Sequence, residues 1–575
     1  MRTEDVLRDY DPGKETSEKV SYVKDIFHIS STSCSALIET LVAFIVSLLD
    51  LIFQKDEEAE DLKGKAGLNS TNCSFPPRTD LYRASKPAPS EEMKDAIDPS
   101  EDEDNDNGGD DQWTKDKGLR QKTGRHPGKQ TGAAGAGMKL PQNAKVMDTV
   151  YHYPRKCMTC PFFAQCRKEG KLLPVRHVID VELTVTDTPH IAIEMCCPNE
   201  RGKVYSGTYP SGVHSSMQYG SSIRAMSVVL NTLGMVSVSR LHEILHAFFN
   251  LQISTGTISS WIMKAGEECR LPLEGILQKI TQSACVHCDE TGAKVNGVMH
   301  WIHTACTEKW TYLSLQAKRG LEGMIRAGFL INYRGTVIHD CLSSYWNEII
   351  AAVRHGLCCA HLLRELKWVI QFKKKNKAWA EGLSELLRKL MREVDEAKAR
   401  GLKALDKDIL EKYWKQYDDY ILQGLAMNPA PPDKQGKRGR KKQGKVRSLL
   451  LRMQEHKESV LLFSVDFTVP PTNNIAEASF RLVAQKRAVI GGFRSPEGAE
   501  SFTAIFSVLS TCRKQDINCY YACKAMVEGR LFELLFPGEN KEAYVHSAEQ
   551  RKAMVEEAMT RYYARKNLLN HNVTE

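Results

Sequence analysis

The feature that most constrains the fold of this chain is a change of hydrophobic period at about residue 284. Before it, apolar residues recur with helical spacing, as in Val238 to Phe249. After it, three short runs rich in β-branched and aromatic residues alternate as strands do, and a helical segment and a fourth short strand follow. These five segments are 284–289, 298–304, 310–315, 319–330 and 336–340.

Three strands in a meander, a helix and another strand form the opening order of a ribonuclease-H-like fold. Asp289 and Asp340 are expected to end two of the strands, where neighbouring strand ends bring side chains together. Like-charged carboxylates favour a cation between them, and hard oxygen ligands suit Mg²⁺ or Mn²⁺. Glu477, at the head of a later helix, would complete a site for two ions about 3.5–4 Å apart. With 71 acidic residues in the chain, a solvated acid is the alternative at each position.

The chain is too long for one hydrophobic core, because 575 residues exceed the about 250–300 that one core supports. We therefore predict a multidomain α+β or α/β protein. Its predicted parts are an N-terminal helical self-association segment (1–53), a disordered acidic and Gly/Pro-rich linker (54–150), a zinc-finger-like segment (151–205), a helical DNA-binding region (206–275), the first half of a catalytic core (276–348), a helical insertion (349–465), the second half of the core (466–535) and a C-terminal helix (536–575).

The apolar segment Ala36 to Phe53 is nearly long enough to span a bilayer, but Glu39 and Asp50 interrupt it. Its apolar residues follow the 4-3-4-3 spacing of a coiled-coil seam, which favours a self-association helix over a membrane span. The seam residues are Leu37, Leu41, Phe44, Leu48 and Leu51. No secretory leader is expected, since a polar, charged segment follows Met1, and the 17 cysteines then indicate a reducing compartment.

Cysteines in 151–205 have a spacing typical of a zinc site. Cys157-x-x-Cys160 would supply two thiolates from one turn, and Cys166 and the pair Cys196-Cys197 offer the others. We take Cys157, Cys160, Cys166 and Cys197 as the zinc ligands of a zinc-ribbon-like segment. Because the last pair is not a clean CxxC, thiols that bind no metal are the alternative.

Two segments have the character of DNA-binding elements. Val238 to Phe249, a short turn and a helix capped by Ser254 resemble a helix-turn-helix, in which Thr255 and Ser259 would contact DNA. Helix pairs of this kind also occur in plain bundles. The net charge of +8 is only mildly basic, but the run Lys434 to Arg447, with Lys441 and Lys442, suits phosphate contacts. A solvated loop is the alternative there.

Six short groups of residues occur in one order along the chain. They are Leu68 to Asp80, with its Pro-Pro pair; Cys157-x-x-Cys160; Asp289-Glu290-Thr291; Tyr333-Arg334-Gly335, followed by Asp340 and Tyr345; Cys359-Ala360-His361, followed by Arg364; and Asn473-Asn474-x-x-Glu477, followed by Arg481, Lys486 and Arg487. In this combination they resemble the motifs of the Insertion Sequence 66 family of bacterial DDE transposases, over most of the chain.

The resemblance implies metal-dependent hydrolysis at the ends of a mobile element, then attack of the freed 3′-hydroxyl on target DNA. Asp289, Asp340 and Glu477 would be the catalytic acids that hold two Mg²⁺ or Mn²⁺ ions. A second set of residues would contact DNA, and ordinary surface charge or packing is the alternative for them. These are His361, Arg364, Arg481, Lys486 and Arg487.

The expected partners follow from the same resemblance. They are double-stranded DNA, as element ends and target, other copies of the chain on that DNA, and possible accessory proteins of the element, in the bacterial cytoplasm and with no membrane. Two other readings keep the fold but change the activity. One is a domesticated DNA-binding protein without catalysis, and the other is a nuclease that never joins strands.

Overall fold

The computed structural model describes residues 16–26, 42–48, 149–169, 171, 173, 175–179, 183–197, 199, 203–210, 212–350, 353–431 and 443–571. Seven strands are described: β1 Glu194–Cys197, β2 Lys203–Ser206, β3 Cys285–Val295, β4 Val298–Cys306, β5 Thr311–Gln316, β6 Thr336–His339 and β7 Arg354–Leu357. The described part is otherwise mainly helical. Its labelled helices are α1 Thr16–Ile26, α2 Arg155–Met158, α3 Phe163–Glu169, α4 Ser221–Thr232, α5 Val238–Phe249, α6 Thr255–Glu268, α7 Arg270–Thr281, α8 Leu321–Ala327, α9 Cys359–Phe372, α10 Lys377–Ala399, α11 Lys407–Met427, α12 Lys445–Glu455, α13 Lys457–Val465, α14 Asn474–Ile490, α15 Pro496–Lys514, α16 Cys519–Val527, α17 Leu531–Leu535 and α18 Lys541–His571.

The chain divides into two compact units. The larger comprises residues 1–119, 219–237 and 258–575, and the smaller comprises 120–218 and 238–257. The larger unit contains the five-stranded sheet and most of the helices. The smaller unit contains the cysteine-rich segment, the β1–β2 hairpin and α5.

The large sheet has the strand order β5-β4-β3-β6-β7. The first three strands form an antiparallel meander, as the sequence predicts, and β6 and β7 add parallel to β3 on its other side. The predicted helix between the meander and the fourth strand is present as α8. Helix α15 packs on β5, and α14 packs on β3 and β4, so the sheet is covered by helices that follow it in sequence.

Strand β3 is longer than its apolar run indicates. It pairs with β4 up to Val295↔Val298, and Asn296 and Gly297 form the turn with φ of 46° and 78°. Two left-handed residues in sequence are what a tight two-residue hairpin requires, and Asn-Gly supplies them at low cost. The expectation that Asp289 ends a strand is therefore wrong, because Asp289 lies within β3 and the hairpin continues the ladder beyond it.

The sheet also has a fifth strand that we did not predict. The segment 349–465 was expected to be a helical insertion, but β7 within it pairs parallel to β6, from Thr336↔Arg354 to His339↔Leu357. Strand β7 has only four residues, including His355 and Gly356, and they show no recognisable alternation of apolar and polar side chains. Their strand forms because β6 offers an open edge, which is a non-local cause.

The helices after β7 build their own core, as an insertion would. Buried apolar side chains of α9, α10, α11, α12 and α13 form one cluster, with Trp379, Tyr417 and Leu383 among its innermost members. Helix α13 also packs against β7. The helical insertion is thus attached to the edge of the sheet, and α9 leads from that edge into the insertion.

In the smaller unit, the turn after α5 has the local chemistry that the sequence predicts. Asn250 takes a left-handed conformation, with φ of 54°, directly after the helix. Ser254 Oγ then accepts a hydrogen bond from the Thr257 amide at 3.1 Å, which is an N-terminal cap for α6. The helix, turn and capped helix are therefore confirmed as local structure.

Three other predictions meet the structure only in part. No strand occurs at the described residues of 178–183, and the strands of this segment are β1 and β2. Residues 42–48 of the N-terminal seam are helical, with Phe44 60% and Leu48 41% exposed, and the rest of 1–53 beyond α1 lies outside the described residues. Within the described residues, none of the helices has the length and apolar character needed to span a bilayer. The linker 54–150 lies almost wholly outside them.

Candidate active site

Two candidate acids lie side by side on the central strands of the large sheet. Parallel β3 and β6 pair in the register His287↔Ile338. Two residues further on, the same register brings Asp289 beside Asp340, and the period of two points both side chains to one face. Asp340 follows the last residue of β6, and Cys341 then turns the chain with a left-handed φ of 71°.

Glu477 reaches the site from the first turn of α14, as the sequence predicts. The helix start is fixed to β3 by Asn473, whose Nδ2 donates to the Cys288 carbonyl at 2.7 Å. Asn473 Oδ1 also lies 3.0 Å from Nδ1 of His287. Because Asn473 is fully buried and contacts the residue before Asp289, it sets the distance between the third acid and the first.

The pKa of Asp289 reflects its burial among other acidic side chains. Burial raises the pKa of Asp289 well above its ordinary value, and the nearby carboxylates of Asp340, Glu290 and Glu477 raise it further. The amide of Glu290 donates to Asp289 Oδ1 at 2.8 Å and opposes the effect. Such a site binds protons more readily than solvated carboxylates do, and a bound cation would replace them.

Glu290 is a fourth acid at the site, on the neighbouring position of β3. Burial and the charge of Asp340 raise the pKa of Glu290 to about 7, against the opposing effects of Tyr345 and Arg319. The hydroxyl of Tyr345 donates to Glu290 Oε1. Arg319 bridges the two acids, with Nε 3.6 Å from Glu290 Oε2 and Nη2 3.8 Å from Asp340 Oδ2. Arg319 and Tyr345 thus link Glu290 and Asp340 into one polar group.

Glu477 has its own basic neighbours on α9. Arg364 Nη2 donates to Glu477 Oε1 at 2.9 Å, and His361 Nδ1 lies 3.6 Å from the same oxygen. Burial and, to a smaller extent, the adjacent Arg364 lower the pKa of His361 to about 3, so the imidazole is neutral at pH 7. The predicted DNA-binding residues His361 and Arg364 therefore lie at the third acid.

The three acids do not converge as ligands of a single ion. Among the residues that the structure describes, the ligand atoms of Asp289, Asp340 and Glu477 do not all lie within 4.8 Å of one another. A site for two ions about 3.5–4 Å apart is wider than a site for one. Among the described residues, the one group of three His, Cys, Asp or Glu whose ligand atoms all lie within 4.8 Å of one another is Cys358, His361 and Glu477.

The three basic residues predicted to contact DNA from α14 have different surroundings. Arg481 is exposed, and the side chain of Arg487 lies outside the described residues. Lys486 is only 7% exposed, and its Nζ lies 3.8 Å from the centre of the Phe502 ring and 5.4 Å from that of Phe493. This position does not favour a phosphate contact, and for Lys486 that role stays a prediction.

Replacing Lys486 tests the two roles against each other. Burial lowers the pKa of Lys486 from 10.5 to about 7, so the folded state disfavours the charged form. The resulting loss of stability is largest below pH 7 and diminishes as the pH rises toward 10.5. We expect Lys486→Met to raise the free energy of unfolding at pH 6–7 by about 1–2 kcal/mol, as measured by denaturant titration. If the Lys486→Met variant were no less stable but bound DNA more weakly, the result would instead support a contact between Lys486 and a DNA phosphate.

The predicted zinc ligands lie in the smaller unit. Cys157 and Cys160 lie on one turn, with the Cys160 amide 3.1 Å from the Cys157 carbonyl, and Cys166 lies on α3. All three are exposed, and none of them belongs to a group of three described His, Cys, Asp or Glu residues whose ligand atoms lie within 4.8 Å of one another. Cys197 ends β1, and its side chain lies outside the described residues, so the zinc ligand set stays a prediction.

Two of the other predicted DNA contacts lie on the surface. Thr255 and Ser259 are exposed on α6. Lys441 and Lys442 lie outside the described residues, but the end of their basic run begins α12, where Lys445 Nζ lies 3.8 Å from the centre of the Trp368 ring. The run is therefore not an open loop over its whole length.

Four residues of the site were not assigned roles from the sequence. Glu290, Tyr345 and Asn473 belong to the short motifs, so a signal was present although their partners were not evident. Arg319 had no signal, because it lies in a loop that only the folded sheet brings to Asp340.

Comparison with known families identifies the chain. A family model described as "Transposase IS66 family" matches residues 216–501, a range that contains β3 to α14 and all three acids. Comparison with curated proteins finds none that matches. Four of the six motif groups quoted above lie within the matched range, including those that contain the first, second and third acids. The chain therefore belongs to the IS66 family of transposases.

Proposed function

We propose that this transposase cuts DNA strands and joins them to a target by metal-dependent phosphoryl transfer. Asp289, Asp340 and Glu477 are the catalytic acids of a ribonuclease-H-like core. The strand order β5-β4-β3-β6-β7, with an antiparallel meander and two added parallel strands, supports this core. The observation that carries the proposal is the pair of neighbouring carboxylates, Asp289 within β3 and Asp340 directly after β6, with a third carboxylate approaching from α14.

The donor set fits Mg²⁺ or Mn²⁺. It consists of carboxylate oxygens, which these hard cations prefer. Burial and mutual repulsion raise the pKa of Asp289, which is the condition that a bound cation relieves. When bound, two such ions would activate the attacking water or 3′-hydroxyl and stabilise the leaving oxygen. Asp289, Asp340 and Glu477 would hold them.

The surrounding residues contribute positioning and charge. Arg319 and Tyr345 hold Asp340 and Glu290 in place, and Asn473 holds the start of α14. Arg364 neutralises Glu477 through its 2.9 Å hydrogen bond. When DNA is bound, a guanidinium next to the catalytic acids is also suited to hold a phosphate oxygen, since it can donate two parallel hydrogen bonds.

The experiment that tests this function uses purified protein, Mg²⁺, a DNA fragment that ends in the element's terminus and a plasmid target. Joined products that depend on the three acids support transposition. Cut ends without joined products indicate a nuclease, and DNA binding without cutting indicates a domesticated binding protein. We propose that the active species is a homo-oligomer on DNA, and accessory proteins of the element are possible partners.

DNA binding is proposed to use two kinds of contact. The run Lys434 to Arg447 would contact phosphates, and Thr255 and Ser259 on the exposed side of α6 would contact base edges. Neutralising Lys441 and Lys442 should weaken binding to all sequences alike and reduce the salt slope by about 2. Thr255→Ala with Ser259→Ala should reduce the preference for element ends. Binding titrations with element-end DNA and with unrelated DNA, at several salt concentrations, measure the salt slope and the preference for element ends. The division would be contradicted if the lysine variant lost the preference for ends while its salt slope and its affinity for unrelated DNA stayed unchanged.

A zinc site in 151–205 is proposed on the Cys spacing. The turn at Cys157 and Cys160 and the β1–β2 hairpin, whose first strand contains Cys196 and Cys197, support this proposal, since a zinc ribbon takes thiolates from two separate parts of a small β-rich segment. Purified protein should contain about one zinc per chain, and Cys157→Ser or Cys160→Ser should lose it. Elemental analysis measures the zinc. Metal-free protein with the same protease resistance in this segment would overturn the site.

A further inference from the structure

A cysteine, a histidine and the third acid converge next to the catalytic residues. Cys358 directly precedes α9, His361 lies in its first turn, and Glu477 lies in the first turn of α14. Their potential ligand atoms all lie within 4.8 Å of one another. Two of the three are buried, with Cys358 1% and His361 8% exposed.

The chemistry of this group differs from that of the three acids. Cys358 and His361 offer a thiol sulfur and a neutral imidazole from positions i and i+3 on one side of a helix start. Sulfur and nitrogen donors with one carboxylate select Zn²⁺ over Mg²⁺. Around a tetrahedral zinc ion, a histidine nitrogen and a carboxylate oxygen lie about 3.3 Å apart. Here His361 Nδ1 and Glu477 Oε1 lie 3.6 Å apart, so little movement is needed.

The sulfur is already held in place. The backbone amide of Asn473 donates to Cys358 Sγ at 3.2 Å. The side chain of the same residue fixes the start of α14 to β3. An amide that donates to sulfur also stabilises a thiolate, as it does in metal–thiolate sites. The main competitor is Arg364, which holds Glu477 Oε1 at 2.9 Å and must yield that oxygen to an ion.

We propose that Cys358, His361 and Glu477 bind one Zn²⁺ ion, with water as the fourth ligand. On binding, the Cys358 thiol releases its proton to solvent as the sulfur–zinc bond forms. Resting on the proposed function, the second part of the proposal is that bound zinc withdraws Glu477 from the catalytic acids and inhibits cleavage. The site would make the transposase sensitive to free zinc.

The site itself is tested with Co²⁺, whose bond to a thiolate gives a charge-transfer band in the near ultraviolet. The full chain carries Cys157→Ser and Cys160→Ser, so that the cysteine-rich segment contributes less. In this background, Cys358→Ser should lose the band that the parent retains, and His361→Asn should shift or weaken it. Cys359→Ser is the matched control, because that buried thiol is adjacent but donates to the Val460 carbonyl instead. An equal band in the Cys358→Ser and Cys359→Ser variants overturns the site.

The inhibition is tested by titrating Zn²⁺ into Mg²⁺-dependent cleavage. Relative to Cys359→Ser, Cys358→Ser should need about tenfold more zinc or more for half inhibition of its own activity. Equal sensitivity of the two variants overturns the competition for Glu477. If no form of the protein cuts DNA, the proposed function fails, while the cobalt titration still decides the metal site.

Discussion

Replacing Asp289, Asp340 or Glu477 by its uncharged amide should reduce DNA cleavage by about 10³-fold or more, about 4 kcal/mol of transition-state stabilisation. Asn and Gln keep the shape of the side chain but remove the charge that holds the metal ions. DNA binding should stay largely unchanged, because phosphate contacts elsewhere supply most of it. Cleavage of end DNA in Mg²⁺ and a binding titration in its absence measure the two effects.

Stability gives a second readout for the same variants. The pKa of Asp289 is raised in the folded protein, so the metal-free protein loses stability as the pH rises from about 4 through that pKa. Asp289→Asn should therefore raise the melting temperature of metal-free protein at pH 7. It should also remove most of the further stabilisation by Mg²⁺ that the wild-type protein gains. A merely structural Asp289 would show the opposite change, a lower melting temperature.

The control for these variants is Glu308→Gln. Glu308 is exposed in the turn between β4 and β5. The same change of charge there should alter neither cleavage nor the response to Mg²⁺. Near-normal cleavage by any one of the three amide variants would remove that residue from the proposed site.

Asn473→Ala should lower the free energy of unfolding by about 2–4 kcal/mol and reduce cleavage by about 10–100-fold. In the native protein the fully buried Asn473 side chain lies 2.7 Å from the Cys288 carbonyl oxygen and 3.0 Å from Nδ1 of His287. The truncation removes this partner from both groups. It also frees the start of α14, so Glu477 loses its fixed distance from Asp289. Denaturant titration measures the first effect and a cleavage assay the second.

The Mg²⁺ dependence separates positioning from simple destabilisation. If Asn473 positions Glu477, the variant should need more Mg²⁺ for half-maximal cleavage at a temperature where it is fully folded. Asn474→Ala is the matched control for stability, since the neighbouring amide is exposed. Unchanged Mg²⁺ dependence with reduced stability would make Asn473 a core residue only.

Local sequence signals predicted much of the fold. The alternation in 298–304 and 310–315 marked two strands, Ser254 marked a helix start, and Glu477 was expected at the head of a helix, as it is. These features depend on the residues within one or two turns of each position, so a single sequence contains them. The extent of β3 was missed because its last residues become a strand only by pairing with β4.

The sequence by itself determined which acids to consider and which family the chain resembles, because both depend on short motifs in a fixed order. Only the tertiary structure decided what surrounds those acids. It brought Arg319 to Asp340, Asn473 to β3 and Cys358 to Glu477, and it buried Lys486 between phenylalanine rings. These contacts join residues of different segments of the fold, and their energies depend on burial and distance. Neither quantity exists until the sheet and helices have packed.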